Sequence, residues 1–427
     1  MLTRRRPRPP SPRWSQPDIA ERESTRFSKL PPGRRAKGAC LSRKPALFLA
    51  LLAIAAPSRA AENAVPAAAL PPTAAQAPIT LLQDLSSGQV LFAREADRRF
   101  LPASITKVMT ALVAFEMLED GRLAARQNYT VKPAIAREWS GKGTSMFVKG
   151  GDQLSVEQLL RGITTVSAND ACVVLADGAS GSVANWVALM NRRARALGMA
   201  DSHFGTPNGW PDEGRTYVTG RDLVRLAQAL IDGHPAYYRD YIGKRSFSVN
   251  GVERRNHDPI SGVVEGADGI KTGHTREAGY TFLGSAQRDG RRLVMVIAGA
   301  PSEAVRAQVS RDLIEWGFTA FESRPLFAAN AIVGQASVQD GAHGSVPLRT
   351  PRAIFASVPK GSSGTIRLAL HYKGPVKAPI AAGDKVAELE IRVDGLPPSR
   401  LPLLAARGVA QAGPLVRIWN GLKGLFG

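Results

Sequence analysis

Two strand-like hairpins enclose a long helical region, and that order constrains this chain more than any other feature. Residues 79–84 and 89–93 are apolar runs separated by Ser86-Ser87-Gly88, the pattern of a β-hairpin. Residues 280–286 and 291–298 repeat it around Arg288-Asp289-Gly290. Between them the apolar spacing is helical. Ser155-x-x-Gln158 is a capping box. Residues 171–179 and 183–197 follow as helices, with Gly198 as the stop. Thr219-x-x-Asp222 precedes another helix at 223–231, and 308–318 closes the region as a helix. Strands, then helices, then strands again predict an α+β fold, an antiparallel sheet flanked by helices.

Beyond about residue 323 the helical spacing disappears. Ile366, Leu368, Leu370 and Tyr372 alternate with Arg367, Ala369 and His371, and Leu389, Ile391 and Val393 alternate with Glu390 and Arg392. Alternation punctuated by Gly and Pro predicts a small all-β domain over 323–404. The last stretch changes character again. At 100° per residue, Leu415, Val416, Ile418, Trp419, Leu422, Leu425 and Phe426 share one face, and Arg417, Asn420 and Lys423 take the other. A terminal amphipathic helix within 405–427 that lies in a membrane interface fits that pattern; it is too short and too mixed to span.

The N-terminus reads as a leader. Arg43 and Lys44 precede the apolar run 45–56, and Ser58-Arg59-Ala60 offers small residues where a signal peptidase cuts. Residues 1–60 are therefore expected to be a signal peptide with an unusually long, basic n-region, for which a misplaced start codon is one explanation. Residues 61–77, rich in Ala and Pro, read as a linker, and 78–322 as the main domain. The chain carries a net charge of +20. Residues 1–60 hold 14 Lys and Arg against 3 Asp and Glu, which leaves +9 for the rest. With over half the excess in the leader and no basic-aromatic recognition motif, nucleic acid is not the expected partner. The remaining basicity suits an anionic membrane surface or polymer. Cys40 and Cys172 are the two cysteines, so once the leader is gone no intrachain disulfide is possible. Too few Cys and His cluster to build a structural metal site. No metal and no cofactor is expected.

Three short motifs carry the chemistry: Ser104-x-x-Lys107, Ser167-Ala168-Asn169 and Lys271-Thr272-Gly273. Ser104 and Lys107 stand three apart at the head of a helical pattern ended by Gly121, so Ser104 Oγ and Lys107 Nζ share a face. A serine becomes a nucleophile when a base takes its proton, and a lysine serves as that base when burial or a second cation lowers its pKa. Ser-x-x-Lys alone is weak, since average composition yields it about once or twice in such a chain. The three motifs together, in this order, are far more specific.

On these motifs, and on Gly150-Gly151-Asp152, Asn208-Gly209-Trp210-Pro211-Asp212 and Asp268-Gly269-Ile270-Lys271-Thr272-Gly273-His274-Thr275, the chain resembles the low-molecular-weight penicillin-binding proteins that are D-alanyl-D-alanine carboxypeptidases. The likeness runs from about residue 79 to 318 and more loosely through the β domain and tail. It implies that Ser104 is acylated, that Lys107 accepts its proton, and that Lys271 lowers the Lys107 pKa. It further implies that Ser167 passes a proton to the leaving amine and that Asn169 holds Lys107 and the substrate amide. The Lys271-Thr272-Gly273 strand would pair with an extended peptide, and the Ser104 and His274 N–H groups would form an oxyanion hole. Thr272 and an arginine before the last helix, matched here by Arg306, would take the substrate's terminal carboxylate. The implied substrates are peptidoglycan stem peptides, with β-lactams as acylating inhibitors. The implied place is the periplasmic side of the cytoplasmic membrane, reached through the C-terminal helix.

Three other readings compete. A class A β-lactamase needs a Glu-x-x-x-Asn pair, and no glutamate here has asparagine at that spacing. A DD-endopeptidase would use the same residues. A non-catalytic binding protein would have no need of intact Ser104, Lys107, Ser167, Asn169 and Lys271. Cys172 reads as a small buried residue rather than a reactive thiol.

Overall fold

A computed structural model describes residues 72–413, apart from 250 and 363. The expected leader at 1–60 and the amphipathic stretch at 415–426 lie outside the described residues. The first hairpin forms as the sequence predicts, from β1 (Ile79–Asp84) and β2 (Val90–Arg94). The later strands are β3 (Ala267–Thr275), β4 (Gly279–Arg288) and β5 (Arg291–Ala300). All five make one antiparallel sheet in the order β2-β1-β5-β4-β3. The first strand therefore lies beside the last, with Ile79 opposite Ala298.

Both faces of the sheet are covered. Leu81, Leu283, Val294 and Val296 enter the core shared with the helical lobe, while Leu82, Phe282, Met295 and Ile297 enter a second core under the final helix. Strands buried on both sides read as continuous apolar runs, which is why 291–298 shows no alternation. The lobe comprises α1 (Lys107–Glu119), α2 (Val156–Thr165), α3 (Asn169–Ser180), α4 (Val183–Ala196) and α5 (Gly220–Gly233). Side chains fix their starts: the Ser155–Gln158 capping box is complete, and Ser182 caps α4. At Thr219 only half the expected box forms. Its hydroxyl accepts from Asp222 N, but the Asp222 carboxylate turns to Ser202, Asp201 N and Arg225.

Several expectations need correction. Ser104 lies in a 3₁₀ turn, Ala103–Thr106, that feeds α1, not inside the α-helix itself. The closing helix α6 is Glu303–Thr319, five residues longer at its start than the apolar spacing indicates, because Ser302 caps it through Val305 N. Two short helices, Pro133–Trp139 and Pro235–Tyr241, and a hairpin of Ser246–Val249 with Val252–Arg255 escape the sequence reading. The end of the expected linker is docked: Pro72–Gln76 is a 3₁₀ turn, Ala77 is fully buried, and Thr73 Oγ1 donates to Asp312 Oδ2 at 2.6 Å.

From Phe321 onward the chain is all β. A six-stranded sheet and a two-stranded ribbon, Phe321–Phe327 with Ile354–Pro359, enclose a third core that includes Val346, Leu389, Ile391 and Leu403. The predicted alternation at Ile366–His371 is not expressed as burial: Leu368 and Leu370 are 43% and 36% exposed. That strand is the edge of its sheet, so its inward face is only partly covered. Residues 405–413, expected to begin the terminal helix, extend this domain instead, with Val409 bridging Ile380 and Gln411 bridging Gly341. Among the described residues no single helix is long and apolar enough to cross a membrane.

Candidate active site

The three motifs converge where α1, α3 and the edge strand β3 meet. Ser104 sits half-buried on its turn. Lys107, one helical step on, is 1% exposed. Its Nζ donates to Ser104 Oγ at 2.7 Å, to Asn169 Oδ1 at 2.8 Å and to the Asn208 carbonyl at 2.8 Å. Asn169, at the first turn of α3, is held in place from its other side, where Nδ2 donates to the Lys142 carbonyl at 2.9 Å. Ser167 is nearly buried at φ 63°, and Ala103, just before the nucleophile, is at φ 49°. A backbone in the left-handed region at non-glycine residues costs of order 1–3 kcal/mol each, and such strain concentrates at functional sites.

Strand β3 presses close to the turn that carries Ser104. A Cβ at Gly273 would stand 2.5 Å from the Pro102 carbonyl oxygen and from Thr281 Oγ1, so no side chain fits. Gly209, at φ 75°, is tighter still: its Cβ would lie 1.9 Å from the Ala103 carbonyl oxygen. These two glycines let the strand and the Asn208 loop close on the serine from opposite sides. Lys271 and Thr272, 5% and 7% exposed, are brought to the same cleft, and Lys271 Nζ donates to the Thr272 carbonyl at 3.0 Å.

The cleft therefore buries two ammonium groups with no carboxylate hydrogen-bonded to either. Burial pushes Lys107 down to about 8. Burial first, then the neighbouring Lys107 and Arg306 cations, push Lys271 down to about 7. At Lys107 it is burial, rather than the expected second cation, that dominates. The coupled pair gives up protons near neutrality instead of near 10.

Arg306 is not a surface residue before the last helix. It lies inside the first turn of α6 and is 3% exposed. One terminal nitrogen donates to Glu303 Oε1 at 2.8 Å, while its Nε is buried without a hydrogen-bond partner. The guanidinium lies 5.6 Å from the centre of the Tyr280 ring. The other face of the arrangement is His274, exposed, whose ring stacks on Tyr280 at 4.1 Å.

Sequence reasoning assigned no role to three contributors, although Asn208 and Trp210 stand in one of its motifs. Asp170, fully buried, accepts from Ser145 Oγ at 2.6 Å and from the N–H groups of Met146 and Val148, and so shapes the loop whose Lys142 carbonyl anchors Asn169. Its position directly after Ser167-Ala168-Asn169 was the available signal. The Asn208 carbonyl binds Lys107 through the backbone, so its side-chain type carries no trace of that role. Trp210 is the third: it meets Trp139 edge to face at 5.8 Å, and Lys142 Nζ lies 5.0 Å from its ring. Cys172 is fully buried behind the two lysines, and burial pushes its thiol up to about 12, so it is inert as expected.

The D-alanyl-D-alanine carboxypeptidase family matches residues 65–302, more than half of the chain. The chain belongs to that family. The C-terminal domain of penicillin-binding protein 5 matches residues 321–411. The carboxypeptidase DacA of Haemophilus influenzae is 31% identical over 353 residues, 81% of this chain and 89% of that protein. DacC of Escherichia coli is 32% identical over 351 residues, 80% of this chain and 86% of that protein. Penicillin-binding protein 5 from Haemophilus influenzae has the same fold, with a TM-score of 0.66 at 30% identity over 79% of this chain and 98% of that one. Penicillin-binding protein D2 of Listeria monocytogenes in its ampicillin-bound form covers 57% of this chain and 98% of its own, with a TM-score of 0.52 at 28% identity.

Proposed function

We propose that Ser104 is the acylated nucleophile of this serine-type D-Ala-D-Ala carboxypeptidase and that Lys107 is its base. The observation that carries this reading is the 2.7 Å contact between Lys107 Nζ and Ser104 Oγ on a lysine whose pKa lies near 8. A neutral Lys107 accepts the hydroxyl proton as Ser104 Oγ attacks the carbonyl carbon between the two D-alanines. The C–N bond breaks as Ser167 gives its hydroxyl proton to the leaving amine and takes in its place the one Lys107 accepted from Ser104, and D-alanine departs. Water then cleaves the Ser104 ester. Asn169 orients Lys107 and the substrate amide, and the edge of β3 pairs with the extended acyl chain through its free backbone groups. The N–H groups of Ser104 and His274 receive the oxyanion. Thr272 and Arg306 hold the terminal carboxylate, for which the unpartnered Arg306 Nε is a ready donor.

The β domain, matched by the C-terminal domain of penicillin-binding protein 5, favours the carboxypeptidase over an endopeptidase. The substrates are peptidoglycan stem pentapeptides, and β-lactams acylate Ser104 because they imitate the same carbonyl. We place the enzyme on the periplasmic face of the cytoplasmic membrane, peripheral and held by residues 415–426. The apolar run at 45–56 and the amphipathic pattern of the tail support this. The division into a catalytic domain at 78–322 and a β domain at 323–404 is supported by the two family matches, which fall on either side of residue 320.

Mass spectrometry of the purified enzyme with penicillin, beside Ser104→Ala, tests the nucleophile, and D-alanine release from a diacyl-Lys-D-Ala-D-Ala peptide tests the reaction. A drug adduct on the wild type alone, with D-alanine release, is expected. An adduct without release would point to the endopeptidase; no adduct would remove the catalytic reading. Flotation of the enzyme with anionic vesicles, with and without residues 415–427, tests the membrane assignment.

A further inference from the structure

We infer that Tyr280 is a positioning residue for this reaction: its ring holds the Arg306 guanidinium in place, and with it the enzyme's preference for a free terminal carboxylate. The inference rests on the reading above, in which Arg306 takes that carboxylate. Tyr280 stands second in β4, directly opposite His274 of β3. The register of β4 with β5 shifts between Tyr280 and Phe282, and an irregularity of this kind re-aims the side chains beside it. The ring is itself anchored. It is partly buried, packs against the core under α6, and stacks on the His274 ring at 4.1 Å with 28° between the planes.

What needs holding is the arginine. Arg306 is buried, and its Nε has no hydrogen-bond partner. A buried N–H without a partner is unfavourable, so a flexible side chain would turn it toward water unless the guanidinium were fixed. Ser302 and Ser310 fix only the backbone: Arg306 N donates to the Ser302 carbonyl, and the Arg306 carbonyl accepts from Ser310 Oγ. Two contacts hold the side chain. One is Glu303, which takes a terminal nitrogen at 2.8 Å but whose own side chain is 60% exposed. Water screens a pair so open, and it restrains one end of the fork only. The other is Tyr280, whose ring centre lies 5.6 Å from the guanidinium carbon. A cation over an aromatic face is attracted to it, and this face cannot follow the cation, because His274 and the core keep it where it is. The ring, more than Glu303, thus keeps Nε available to a carboxylate.

The test compares kcat/KM for diacyl-Lys-D-Ala-D-Ala with that for the same peptide ending in a carboxamide. The wild type should prefer the free acid. In Tyr280→Leu that preference should fall about tenfold, through a raised KM for the acid, the order expected when a binding group is misplaced. The carboxamide should be turned over as by the wild type, which also reports an intact fold and serine. Tyr280→Phe keeps the ring and should keep the preference. Glu303→Gln should lower it less than Tyr280→Leu does. A merely structural role for Tyr280 would slow both peptides alike. An unchanged ratio in Tyr280→Leu, an equal loss on both peptides, or a loss in Tyr280→Phe as large as in Tyr280→Leu would overturn the inference. Should circular dichroism show Tyr280→Leu unfolded, His274→Ala, which removes the stacked ring from an exposed position, should lower the same ratio to a smaller extent; no change there would overturn it equally. Failure of the carboxylate reading looks different, and takes the inference with it: the wild type then turns over acid and carboxamide equally, and Arg306→Ala alters neither.

Discussion

Two buried polar clusters lie at opposite ends of the catalytic sheet, and they are built on opposite rules. At the joint with the β domain, Asp84 is fully buried and receives Arg291 Nε at 2.6 Å and Ser357 Oγ at 2.7 Å. Gln89 bonds both backbone groups of Ser357, Ser87 Oγ lies 3.3 Å from Ser357 Oγ, and Ser399 Oγ donates to the Ser87 carbonyl. Opposite charges cancel there, and of the buried side-chain atoms only one terminal nitrogen of Arg291 lacks a hydrogen bond. In the cleft, two like charges are buried together and a guanidinium nitrogen beside them has no partner. A satisfied cluster specifies how two domains meet. An unsatisfied one holds its groups at energies that a substrate can relieve.

The sharpest break between the two is mutational. Lys107→Met should lower penicillin acylation of Ser104 by about a thousandfold or more, the usual consequence of removing a catalytic base that works as a unit with its nucleophile. Its thermal midpoint should stay level or rise, because a buried ammonium without a carboxylate is gone. Asp84→Ala should do the reverse. It strands Arg291 in the interior, at a cost of about 3–5 kcal/mol, and should lower the melting temperature by several degrees. Acylation per folded molecule should be retained. A Lys107→Met enzyme that still acylates at the wild-type rate, or an Asp84→Ala protein that melts where the wild type does, would dissolve the contrast.

A second distinction is in pH. As the proposed base, Lys107 would work only when neutral, so acylation should climb by about tenfold per unit below its pKa near 8 and level off above it. The same shift marks stability. Unfolded lysines keep their protons to about 10.5, so between about pH 7 and 10 the unfolded chain binds more protons than the folded one. Stability from this source therefore rises with pH across that window and is lost as pH falls toward 7. The rise in melting temperature should be smaller in Lys107→Met; an identical slope would remove the cleft lysines as its cause. The smallest effect should come from Ser357→Ala, which takes one hydroxyl from the joint but leaves Asp84 its arginine. About 1–2 kcal/mol of destabilisation is expected in denaturant titration.

What the sequence reveals follows the range of the interaction. Ser104 and Lys107 are legible because three residues of helical spacing fix their contact within one turn, and Ser155 and Gln158 because a capping box is local. Arg306 is legible only in part: a family likeness names it, but the Ser302 cap that draws it into α6 and buries it competes with an unremarkable apolar pattern. Leu368 and Leu370 mislead, since alternation reports a strand's two faces and not whether its sheet ends there. Asn208 acts through a carbonyl that every residue has, and Asp84 with Arg291 joins segments 207 residues apart. No local pattern could have paired them.

The adjacency of β1 and β5 has a consequence for when the molecule can exist at all. Residues 79–84 hydrogen-bond to β2 on one side and, on the other, only to residues 293–298. Until the chain has been made and released past Ala300, the first hairpin has one face of backbone groups without its strand and no sheet against which the lobe can close. Contacts of such sequence separation form late and slowly. A polypeptide organised this way completes its sheet only once β5 is in place between β1 and β4.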